Sequence, residues 1–154
     1  MDADHAKGVA FNMLFLSWRF HTHAKAVEPC FGLLQQLGDQ YPGGVGVCHV
    51  VEADAIAPSF AARKLMAELQ RLPIVKHYSV THEGTGFKAA SIRAVVTGIN
   101  ALSRANCAHS VQSTFVRAAE WHAVHQVALG RLEPASRINA TLELLRARHR
   151  QQYP

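Results

Sequence analysis

Val45–Val51 (VGVCHVV), the turn Ala55-Ile56-Ala57-Pro58-Ser59, a helical run to Leu72, and Ile74–His82 (IVKHYSVTH) make one continuous strand–helix–strand unit. The first segment is apolar and β-branched, as a strand buried on both faces requires. Ser59 stands where a helix N-cap belongs. Leu65, Met66 and Leu69 fall on one helical face, and Pro73 ends the run. Two strands joined by a helix predict a parallel pair, since a parallel connection needs a crossover of this length.

The pattern repeats outward. Phe11–Phe20 (FNMLFLSWRF) reads as a buried strand, followed by a helix capped by Thr22 with Val27, Phe31, Leu34 and Leu37 on one face. Tyr41-Pro42-Gly43-Gly44 stops that helix. Downstream, Glu83-Gly84-Thr85-Gly86 turns the chain into a helix over 87–104, where Ile92, Val95, Val96, Ile99 and Leu102 keep helical spacing. His109–Phe115 reads as a short strand and Val116–Leu129 as a helix with Ala118, Ala119, Trp121 and Val124 facing the core. Gly130 breaks it, and a last helix runs from Pro134-Ala135 to about Arg148. Strands alternating with helices predict one α/β domain over 9–130, with about four strands in a mainly parallel or mixed sheet flanked by helices. Residues 131–154 read as a basic C-terminal helical extension.

The composition bounds what such a domain can do. The chain has 154 residues, 49% hydrophobic and 18% charged, enough for a real core and too apolar for disorder. No apolar run reaches the roughly 18 residues needed to span a bilayer, and the acidic start does not read as a secretory signal, so a cytoplasmic protein is expected. Cys30, Cys48 and Cys107 are widely spaced and odd in number, which favours buried thiols over disulfides. The net charge is +5, and +3 of it lies after residue 130, five arginines against two glutamates. No aromatic residues interleave with those arginines as a nucleic-acid groove would need, so nucleic acid is disfavoured as a partner.

The chain resembles the STAS-like domains, the anti-sigma-factor antagonists and short bacterial relatives. The residues that carry the resemblance are Trp18, Pro58-Ser59 with Arg63, Glu83-Gly84-Thr85-Gly86-Phe87 with Ala90 and Arg93, and Ala118-Ala119 with Trp121. It covers roughly residues 11–129. It implies a small sheet flanked by helices, no cofactor, and a role in protein contact, with a protein partner or a second copy of the chain as the other side. In the antagonists a serine at the start of the helix after the central strand is phosphorylated to switch binding off. Ser59 falls near that place, although Ala57-Pro58-Ser59-Phe60 replaces the family's Asp-Ser-Ser-Gly.

Candidate sites follow from the loops at the carboxyl ends of the strands, where parallel sheets bind ligands. Ser59 is a candidate phosphoacceptor, since a helix N-terminus favours phosphate. Gly84, Thr85 and Gly86, helped by Ser59, Arg63 and Lys88, form a candidate anion site for a phosphate, nucleotide or lipid headgroup; Glu83 would repel such a ligand. His21-x-His23 and His122-x-x-His125 have metal-ligand spacing, but no local Asp, Glu or Cys completes either pair, so no metal is assigned. Cys48 and His49 point to opposite sides of a strand, and no catalytic set can be named. The expected function is a non-catalytic binding or regulatory domain, with the anion binder as alternative and an enzyme third.

Overall fold

The structure, a computed structural model, describes residues 3–103 and 106–154, without the side chains of residues 87, 88 and 99–103. It is an α/β domain with five strands, β1 (His5–Ala10), β2 (Met13–Trp18), β3 (Val45–Val51), β4 (Val75–His82) and β5 (Ala108–Gln112), adjacent in chain order. β1 pairs antiparallel with β2, and the remaining pairs are parallel. The helices are α1 (Ala24–Val27), α2 (Pro29–Gln40), α3 (Phe60–Arg71), α4 (Gly86–Ser103), α5 (Phe115–Ala128) and α6 (Ala135–Gln152).

The sheet order dictates where the helices go. Each crossover from β2 to β5 steps to the next strand in the same direction, and crossovers share one hand, so all of them cover the same face. Val27, Leu34, Leu37, Met66, Leu69 and Val96 accordingly pack on Leu14, Leu16, Val45, Val47 and Val80. The second face has no crossover to cover it. It is closed by α5 and α6, whose Phe115, Ala118, Ala119, Ile138 and Leu142 pack on Met13, Phe15, Cys48 and Val50. Residues 131–154 therefore include a wall of the second core: Ile138 and Leu142 are fully buried.

Three local expectations change. The edge strand β1 makes the sheet five-stranded, and the first expected strand shortens to Met13–Trp18 because Phe11 and Asn12 form the β1–β2 turn. Phe11 takes φ 57, a conformation costly for a side chain with Cβ. Around it, Arg137 of α6 lies 5.0 Å over the Phe11 ring and the Asn12 amide donates to the Gly44 carbonyl at 2.9 Å. Thr22 is buried rather than capping; His23 is the N-cap residue of α1. Pro29 has no N–H to continue α1, so a second helix starts there.

The third change is in α5. Its inward positions are taken by Phe115, Ala118, Ala119, His122 and Gln126, whereas Val124, expected in the core, points outward and is 70% exposed. His122 and Gln126 thus share the inner face with Phe115, Ala118 and Ala119, while Val116, Val124 and Val127 face out. Among the described residues no helix is long and apolar enough to cross a membrane.

Candidate functional site

Glu52 and Glu83 follow the last residues of β3 and β4, so both carboxylates stand at the carboxyl end of the sheet centre. In an open parallel sheet this is where a ligand enters. Here Arg146 of α6 occupies it. Its Nη1 and Nη2 donate to the two Glu83 oxygens at 2.9 and 2.7 Å, a two-pronged pair. Its Nε lies 3.5 Å from Glu52, and Arg150 donates to the other Glu52 oxygen at 3.1 Å. Arg146 is 9% exposed. Burial opposes its charge, but the hydrogen bonds and charge of Glu83, with Glu52 and Glu143 behind, outweigh burial and raise its pKa. Arg146→Met will leave Glu83 without its cation and Glu52 with Arg150 alone, and cost about 3 kcal/mol in urea denaturation. Adding Glu83→Leu should recover most of that loss. A single-variant cost under about 0.5 kcal/mol would mean solvent already screens the pair.

The sequence-derived candidates surround this closed end. Ser59 and Arg63 open the helix after β3, and Gly84–Gly86 open the helix after β4, so parallel topology puts both groups at the same end of neighbouring strands. Ser59 is exposed and its Oγ accepts from the Ala62 N–H at 3.2 Å, the work of an N-cap. The Arg63 guanidinium lies 5.9 Å over the Phe60 ring. The Gly84 N–H donates to His82 Nδ1 at 3.2 Å, and its carbonyl accepts from Arg93 at 3.2 Å. A Cβ at Gly84 would stand 2.6 Å from the His82 ring, and Gly86 takes φ 75, so both glycines serve the tight strand-to-helix turn. The Lys88 side chain and those of Ile99 and Leu102 lie outside the described residues. Thr85 is exposed.

Two polar chains run through the sheet, one on each face. On the α1–α4 face, Trp18 Nε1–H donates to His49 Nδ1 at 3.1 Å, which leaves His49 Nε2–H to donate to the Tyr78 hydroxyl at 2.9 Å. On the α5 face, Ser79 Oγ donates to Cys48 Sγ at 3.7 Å. Ser79 Oγ also lies 2.7 Å from His122 Nε2, and His122 Nδ1 lies 2.7 Å from His77 Nδ1, with one proton shared in each bond. Gly46 makes room: a Cβ there would stand 2.1 Å from the His77 ring.

Serine, histidine and a second histidine in this order have the spacing of a nucleophile, its base and an orienting group. Their surroundings deny them that chemistry. Ser79 and His122 are fully shielded and His77 is 1% exposed, beneath α5. Desolvation, with the His77 and His125 charges behind it, holds the His122 pKa well below the ordinary value, so the imidazole resists taking a proton. Burial likewise lowers His77 and His49 to about 3 and pushes the Cys48 thiol up to about 12. These groups rest in their neutral forms as hydrogen-bonded parts of the core.

The spacing His122-x-x-His125 also resolves. Both His122 nitrogens are bonded inside, while His125 Nδ1–H donates to the Trp121 carbonyl at 2.9 Å. Nothing in the sequence pairs residue 146 with residues 52 and 83; the only signal was two acidic residues directly after two strands. His77 and Ser79 could have been found together, since alternate strand positions share a face.

No family model, curated protein or solved structure matches the chain.

Proposed function

We propose that this chain is a non-catalytic binding domain of STAS-like type that acts by docking on a protein partner through the outer face of α5 and the loop that follows it. The supporting observation is the inversion of α5. Val124, Val127 and Leu132 are 70%, 58% and 85% exposed, while His122 and Gln126 of the same helix are buried. Together with Ala123, Pro134 and Glu133 they line one mainly apolar depression. A contiguous apolar surface with a polar residue held inside in its place is what an interface needs and a solvated helix does not. Glu133 in the same lining is paired with Arg137 at 2.9 Å, so on a chain of net charge +5 the partner this surface fits has an apolar centre. The closed carboxyl end of the sheet and the neutral buried histidines favour this reading over the anion site at residues 83–88 and over catalysis.

The test is chemical crosslinking and capture from the native host with wild-type protein and with the double variant Val124→Glu, Val127→Glu. Both positions are exposed, so the variant should fold. The reading expects a stoichiometric partner whose affinity, measured with purified proteins, drops at least tenfold in the variant. Equal capture by both proteins would overturn it. So would an empty capture alongside a saturable rise in Tm with inorganic phosphate, nucleotides or anionic lipid.

A further inference from the structure

The pairing of His5 with Trp18 brings the residues just beyond it together: the Arg19 N–H donates to the Asp4 carbonyl at 2.8 Å. The chain then runs extended through His21-Thr22-His23. Thr22 is 4% exposed and anchors the segment, so its neighbours on either side point the same way, outward. The two imidazoles stack with centroids 5.4 Å apart and planes 12° apart. His23 is held further by its carbonyl, which accepts from Ala26 and Val27 at the start of α1. The Asp4 carboxylate reaches both rings, Oδ1 3.2 Å from His21 Nδ1 and Oδ2 3.1 Å from His23 Nε2.

We infer that Asp4, His21 and His23 form a binding site for a divalent transition-metal ion of zinc's class. One ligand atom from each residue lies within 4.8 Å of the others, and among the described residues this is the group of three that meets that condition. A tetrahedral ion with bonds of about 2.0–2.1 Å holds its donors about 3.3 Å apart; Asp4 now reaches the two rings through different oxygens, and a small turn of its side chain within the 4.8 Å that encloses the three donor atoms brings one oxygen to a shared ion. Two imidazoles and one carboxylate are the donor set that zinc, cobalt and nickel share, whereas calcium and magnesium prefer all-oxygen cages. His21-x-His23 was visible in the sequence; the third ligand was not, because it comes from the far side of a hairpin. Three protein ligands leave one coordination position open to water or to a donor from a bound molecule. The site is at the surface, with about half of each imidazole exposed (50% and 54%), so an ion reaches it without any opening of the fold. The inference stands independently of the docking face on α5.

The experiment is calorimetric titration of the full chain with zinc alone, for wild type, Asp4→Asn, His21→Ala, His23→Ala, and for His109→Ala as an exposed histidine outside the site. The expected result is one equivalent bound by wild type and by His109→Ala, with affinity reduced at least tenfold in each of the three site variants. Melting in EDTA checks folding: the variants should match wild type there and lack its zinc-dependent rise in Tm. Cobalt gives a second readout, visible absorption bands in wild type that are lost in Asp4→Asn. Zinc binding that survives Asp4→Asn unchanged, or that falls equally in His109→Ala, would overturn the site, as would no heat and no Tm rise at millimolar zinc.

Discussion

A chain cut after Gly130 will not hold a native sheet. The cut removes α6, and with it Ile138 and Leu142, both fully buried against the second face of the sheet. Truncating one such side chain to alanine costs about 2–5 kcal/mol. Losing the whole helix also strips Arg146 from Glu83 and Glu52, and Arg137 from the Phe11 ring. Against a total stability of about 5–15 kcal/mol, the truncated chain should be largely unfolded. Circular dichroism and urea titration of residues 1–130 will read this as a missing cooperative transition. A sharp transition within about 1 kcal/mol of the full chain would instead make α6 an appendage.

Acid will unfold the protein well before its carboxylates are protonated. His49, His77 and His122 are neutral in the folded state and carry pKa values below the ordinary 6.5, the first two near 3. The unfolded chain takes protons on these residues as pH falls through 6.5, while the folded chain does not. The stability they contribute is therefore complete above 6.5 and is lost as pH drops toward the folded values. Between pH 7 and 5 His49 and His77 should each cost about 2 kcal/mol, and His122 adds to the loss in the same direction, a large part of the whole. Geometry gives the same sign. A proton on His49 Nδ1 would face the Trp18 N–H, and a second proton between His122 Nδ1 and His77 Nδ1 would face the first. Urea midpoints measured from pH 7.5 to 5 should fall steeply, and His122→Gln, whatever its stability at pH 7.5, should flatten the slope. A midpoint flat across that range would show that the unfolded chain gains no such protons.

The parts of this architecture that rest on local pattern were legible in the sequence. VGVCHVV is apolar and largely β-branched, and Ser59 and Gly86 mark helix starts by ordinary cap and turn chemistry; Thr114, the N-cap of α5, instead fell inside the expected strand His109–Phe115, which ends at Gln112. β1 was not legible: His5-Ala6-Lys7-Gly8-Val9-Ala10 has neither a β-branched run nor alternation, and it becomes a strand because β2 offers an edge. Its turn carries Phe11 and Asn12 instead of a glycine signal, so the hairpin left no trace. Val124 was misplaced because hydrophobic spacing alone takes an outward valine for a core residue. His122 takes the inward position, and its bonds to Ser79 and His77 come from a strand more than forty residues earlier. The third residue beside His21 and His23, and the cation between Glu52 and Glu83, are likewise long-range facts that spacing cannot supply.

The one-sided winding of the crossovers has a consequence in time. On a ribosome, all five strands are made before either helix that closes the second face. Until then Met13, Phe15, Cys48 and Val50 have only the sheet's own backbone behind them and open water in front. At about 5–20 residues per second, the roughly 40 residues from the end of β5 to the end of α6 take about 2–8 s to synthesise. For that interval the nascent chain presents an apolar plane at its centre that only α5 and α6 cover.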